Sequence, residues 1–163
     1  MFLSARIHPR EDANLAVGMD VRSWVEHQLV DAIVINSLGF DLDPEAHFNW
    51  ITELAQKNGV WVYPHLGRTV YDDRNHKPNI EMVRAAASNQ IAAGADGLYV
   101  SSLPWPHGSD EYLVMRELGD PDIYARKNKH YFLPQKDPST EPWPVKCHLP
   151  SVLKQGIPSK IPF

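Results

Sequence analysis

The sequence predicts an α/β fold of four βα units, half of a (β/α) barrel, followed by a proline-rich irregular tail. Three observations carry this prediction. Four short apolar runs recur at roughly thirty-residue intervals, the length of a βα unit. Segments of helical period lie between them. Along three of the four runs, alternate residues divide into an aliphatic row and a polar or aromatic row.

The first run, FLSARI at 2–7, places Leu3, Ala5 and Ile7 on one face and Ser4 and Arg6, continued by His8, on the other. Val17, Val21, Trp24 and Val25 then write one apolar helical stripe, and DAIVINS at 31–37 is the second strand. Asp43-Pro44 reads as an N-cap with Pro at the first helical position, opening a helix that carries Phe48, Ile51 and Ala55 and closes at Asn58-Gly59. VWVYPHL at 60–66 sets Val60 and Val62 against Trp61, Tyr63 and His65. The next stripe, Ile80, Val83, Ala87 and Ile91, stops at Gly94. DGLYVSSL at 96–103 sets Leu98 and Val100 against Tyr99 and Ser101, and a fourth helix from about Ser109 to Leu118 ends at GDP, 119–121.

Strands joined by helices lie parallel with right-handed crossovers, which leaves an open doubly wound sheet or part of a barrel. Helices on both sides of a sheet demand aliphatic residues in both rows. A polar and aromatic row instead suits a barrel interior whose upper layer is a ligand site. The half barrel is expected over 1–119. From 120 to 163 the pattern changes: eight of the fourteen prolines fall there, and no long periodic stretch remains, so this part is expected to be a tail leading into a truncated β module.

A formal net charge of −4, with Lys and Arg scattered singly, gives no basic face for phosphates and argues against a nucleic-acid partner. Cys147, the single cysteine, rules out an internal disulfide and a cysteine-based zinc cluster. The opening MFLSARIHPRED has too short an apolar run for a signal peptide or a membrane span, so a chain that starts at Met1 is expected to lack an export signal and a membrane partner.

In a barrel, function belongs to the C-terminal ends of the strands and the loops after them. Four sets of residues qualify there: Arg6 with His8, Asn36 with Ser37, His65 with Arg68, and Ser101 with Ser102 and Trp105. An inward Arg near a strand end holds a carboxylate, either of the protein or of a ligand. His65 can donate to a sugar, act as a general acid or base near neutral pH, or serve as a structural histidine. Trp105, stiffened between Pro104 and Pro106, offers an apolar platform for a pyranose face or closes the top of the barrel. Asp72 and Asp73, in the loop YDDRNHKP, either reach the site or sit in solvent.

Sharper motifs are missing. No glycine-rich loop follows a strand, which weighs against a nucleotide cofactor. His8, His65 and His107 lack the H-x-H or H-E-x-x-H spacing of a metal hydrolase, so neither a metal nor another cofactor is expected. Glycoside hydrolysis commonly uses two carboxylates flanking the scissile bond, and none of the four strands ends in Asp or Glu.

The stretches ARIHP, GMDVRSWVEHQLVDAIVI, GADGLYV and ELGDPDIYARKNKHYFLP, in that order, resemble the C-terminal half of the family 10 glycosylhydrolase-like proteins, a (β/α)8 barrel group. The resemblance spans about 2–134 and rests chiefly on Gly18 to Val25 and on the segment from ELGDPD to KHYFLP. It implies strands five to eight of a barrel. It also implies an acidic motif of the type D-G-I-E-L-D on an upstream strand, and no segment here matches it. Where the family often carries Asn near the end of its last strand, this chain has Ser101 and Ser102.

The resulting expectation is a fragment of a glycoside hydrolase acting on a poly- or oligosaccharide, inactive alone because the upstream acidic strand is absent. Its sugar contacts would be Arg6, His8, Asn36, His65, Arg68, Ser101 and Trp105. The alternative is a non-catalytic carbohydrate-binding or self-assembling half-barrel module. Either way the first and last strands present unpaired edges, which call for the upstream half of the barrel or a second copy. An upstream half could carry its own signal peptide, so localisation stays open.

Overall fold

The computed structural model describes residues 1–36, 42, 48–70, 77–100, 103 and 105–132. The described chain is a mixed α/β structure with a four-stranded, all-parallel sheet in the order β1-β2-β3-β4 and six helices. Its strands are β1 (Ser4–Ile7), β2 (Ala32–Ile35), β3 (Trp61–Leu66) and β4 (Tyr99–Val100), each inside one of the four apolar runs. Register aligns Arg6 with Val34 and Tyr63, and His65 with Tyr99.

The first connection departs from the single stripe expected around Val17 to Val25. It holds two short helices, α1 (Glu11–Ala16) and α2 (Val21–Glu26). Gly18 breaks them apart with φ of 82°, a left-handed conformation that costs glycine little. Asp20 then restarts the helix by accepting from the Ser23 N–H at 3.1 Å. Val17 is left exposed, while Val21 and Val25 are buried as expected.

Later helices follow their stripes. They are α3 (Asn49–Lys57), α4 (Ile80–Ala92), capped by Asn79 accepting from Met82 N–H at 2.9 Å, and α5 (Ser109–Glu117). Gly59 and Gly94, with φ of 68° and 94°, turn the chain out of α3 and α4 where the sequence places C-caps. The Asp43-Pro44 start, the loop 71–76, Ser101, Ser102, Pro104 and everything from 133 onward, Cys147 included, lie outside the described residues.

Two apolar clusters form on one side of the sheet. Ile7, Ile33, Ile35 and Val62 pack against Val21, Val25, Ile51 and Ala55 from α2 and α3. Leu66 and Val100 pack against Val83, Ala86 and Ala87 from α4. Burying side chains such as Ile33 and Ile51 is worth roughly 2 kcal/mol each. Strands that always step in one direction, with every crossover on the same side, make a singly wound sheet with one face covered by helices.

Residues after 119 do not begin as a tail. Pro121–Tyr124 forms α6, capped by Asp120, and Tyr124 is buried in the second cluster with Phe132 packed against it. Three basic and acidic groups fix this corner: Arg84 Nε and Lys127 Nζ lie 2.8 and 2.7 Å from the two oxygens of the buried Glu117. The two cations hold its carboxyl down at about 2. Proline content hid this packing, because Pro121 at a first helical position starts a helix rather than breaking one.

Candidate functional site

The face of the sheet away from the helices carries the row Ser4, Arg6 and His8, the row Trp61, Tyr63 and His65, and Tyr99. No helix of the two core clusters packs on it. On the inner strands Ala32, Val34 and His65 are nonetheless buried, while Arg6 and Trp61 are exposed.

Arg6 and Tyr99 belong to the two outermost strands. In a flat sheet their backbones would stand about 14 Å apart, three strand spacings. Arg6 Nη2 donates to Tyr99 Oη at 3.3 Å, and its guanidinium carbon lies 5.5 Å from the centre of the Tyr99 ring. Two long side chains reaching toward each other over β2 and β3 make the contact. Tyr99 is also tilted against His65, ring centres 5.9 Å apart. Burial, and then the charge of Arg6, lower the pKa of His65, so the imidazole is neutral at pH 7.

Lower on the same face, Tyr63 lies over Gly97. A Cβ at Gly97 would fall 2.9 Å from Tyr63 Cε1, so only glycine lets the ring settle there. Trp61 meets Tyr63 edge-on at 6.1 Å and the exposed Phe2 at 6.0 Å, giving an aromatic strip from the chain just before β1 to β3.

The other expected site residues are placed differently. His8 is tied into the turn after β1: its Nδ1 accepts from Arg10 N–H at 3.0 Å, while its backbone N–H and carbonyl are both bound by the Asn14 side chain at 2.8 Å. Burial, with a smaller push from Arg10, lowers its pKa. Asn36 follows β2, where its N–H donates to Ile7 O at 2.9 Å, and its buried Oδ1 has no hydrogen-bond partner among the described residues. Arg68 stands 4.0 Å from Glu111 at a cavity of about 50 Å³ beside the C-terminal ends of β3 and β4. Leu66, Val83 and Val100 supply its apolar lining. Ser37, Asp72, Asp73, Ser101 and Ser102 lie outside the described residues.

Sequence reasoning missed the polar side of that cavity. Lys77 Nζ lies 2.9 Å from Glu111 and 3.3 Å from Asp110. Lys77, and then the Gly108 N–H that donates to Glu111 at 2.9 Å, hold the Glu111 carboxyl down at about 2. The signal was present in G-S-D-E at 108–111, since a Glu at the third helical position reaches back to the cap.

Trp105 is 82% exposed. Its ring meets His107 edge-on at 5.2 Å, and His107 in turn meets the exposed Tyr112 at 5.9 Å. These three rings form a ladder near the start of α5. Among the described residues no three His, Cys, Asp or Glu side chains are grouped to hold a metal ion, and no helix is long and apolar enough to cross a membrane.

The site therefore offers a fixed guanidinium, a neutral imidazole, phenol hydroxyls and exposed ring faces. No carboxylate stands in its described strand rows. Searches of protein-family models and of curated proteins find no match to the chain.

Proposed function

We propose that this chain is the sugar-binding half of a glycoside hydrolase-like (β/α) barrel, and that alone it binds poly- or oligosaccharide without cleaving it. The observation that carries the reading is the sheet face bearing Arg6, Tyr63, His65 and Tyr99, on which none of the described helices of the two core clusters packs. Sugars are recognised by hydrogen-bonding groups beside aromatic faces, and this face supplies both. Single winding and the Arg6–Tyr99 contact support a half barrel, because both accompany a sheet curled with its helices outside.

Absence of Asp and Glu from the described strand rows supports binding rather than catalysis, since glycosidic cleavage commonly uses paired carboxylates. A second reading, self-assembly of two half barrels, draws on the edges of β1 and β4, the outer strands of the sheet. It meets an electrostatic obstacle, because a barrel closed by two copies encloses two Arg6 side chains with no described strand-row carboxylate.

Binding of neutral and charged oligosaccharides to the 163-residue chain, compared with Trp105→Ala and His65→Ala, tests the reading. Weaker binding in either variant with an unchanged fold is the expected result. Failure of every oligosaccharide to bind the intact chain would remove it.

A further inference from the structure

We infer that the Arg6 site selects sugars bearing a planar carboxylate, so that the preferred ligand is a uronic-acid-containing oligosaccharide. This rests on the sugar-binding reading above and adds the class of sugar.

The inference starts from what surrounds each arginine. Arg10 pairs with Asp12, Arg22 with Glu11 and Arg84 with Glu117, and Arg68 stands near Glu111. Arg6 differs in that its contacts among the described residues are the ring and the hydroxyl of Tyr99. Arg116 and Arg126 also lack a carboxylate there, but both lie on exposed surface outside the sheet. Among the described arginines, Arg6 alone combines an uncompensated charge with a place on the sheet face opposite the two helical clusters.

Tyr99 engages one nitrogen of the guanidinium and one of its flanks, and the exposed side chain keeps the remaining N–H groups open to a ligand. A guanidinium held this way presents a planar fork matched to a carboxylate, with little side-chain freedom left to lose on binding. His65, neutral beside it, adds no competing charge. The Tyr63 and Trp61 rings on β3 provide the apolar surface that a pyranose face needs. A neutral sugar would leave the guanidinium without an anionic partner, whereas a uronate supplies one.

The experiment compares a trigalacturonate, a sulfated trisaccharide and neutral cellotriose, each titrated calorimetrically into the full chain and into Arg6→Met, Arg6→Lys and Trp105→Ala. The expected result is that the uronate binds about tenfold more tightly than cellotriose, as a charge-assisted fork implies. Arg6→Met should abolish that difference, and Arg6→Lys should keep part of it by retaining charge without the fork. Raised ionic strength should weaken the uronate and leave cellotriose unchanged. Circular dichroism of the Arg6 variants confirms that the fold is intact.

Equal binding of uronate and cellotriose, or loss of both in parallel in Arg6→Met, would overturn the inference while leaving the sugar-binding reading in place. Sulfated ligand matching the uronate would overturn the carboxylate selectivity. No binding by any of the three would remove the broader reading as well.

Discussion

The Arg6 guanidinium of the first strand lies 5.5 Å from the centre of the Tyr99 ring of the fourth and donates to its hydroxyl at 3.3 Å, spanning two intervening strands. The contact links the two outer strands across the face that carries His65. Replacing Tyr99 with Ala should cost about 1 kcal/mol through loss of the cation–π contact and its hydrogen bond. It should also raise the pKa of His65, because an Arg6 no longer tethered moves its charge away. Urea denaturation and NMR titration of the imidazole check the two effects; an unchanged His65 titration would separate Arg6 from the site.

Gly97→Ala should push the Tyr63 ring off its seat, since the new methyl would begin 2.9 Å from Tyr63 Cε1. The expected loss is about 1 kcal/mol, typical of a small overpacking that a ring can partly relieve. Combining it with Tyr63→Val should restore most of the stability, and a non-additive double-mutant cycle is the signature to look for.

Glu117→Ala should be the most damaging of the ion-pair substitutions. It leaves Arg84, itself only 11% exposed, without its carboxylate, at a cost of about 3 kcal/mol. Chemical denaturation measures the loss directly. Glu117→Ala in the presence of Arg84→Met should lose less.

Acid should destabilise the fold in two stages. His8 and His65 have folded pKa values below the ordinary 6.5, mainly through burial, so their contribution is complete above pH 6.5 and is lost as pH falls through the lowered values. Glu111 and Glu117, held at about 2, contribute fully above the ordinary carboxyl value of 4.5, and that stability is lost as pH falls from 4.5 through 2. Melting temperature measured against pH should fall in both windows. His65→Gln should reduce the fall in the first, leaving the part due to His8, and a profile level between 6.5 and 4.5 would contradict the lowered histidine pKa values.

Much of this was legible in the sequence. Alternation placed Trp61, Tyr63 and His65 on the face opposite Val60 and Val62, and three helical stripes found the helices that bury them. The break at Gly18 was not legible, because Val17 and Val21 keep a helical spacing across it. The Arg6–Tyr99 contact joins residues 93 apart on the two outer strands, a pairing that no local pattern records. Glu117 with Arg84 and Lys127 was hidden for the same reason, three singly placed charges meeting only after the helices pack. Ser101, Asp72 and Asp73 keep the roles the sequence suggests for them, as proposals.

The most direct test of the central claim, that the sheet face opposite the two helical clusters binds sugar, is an amide and indole chemical-shift map of the full chain titrated with oligosaccharides. The account predicts shifts concentrated at Arg6, Tyr63, His65 and Tyr99, with the Trp105 indole moving as well. Shifts confined to the helical face, or none with any oligosaccharide, would contradict it.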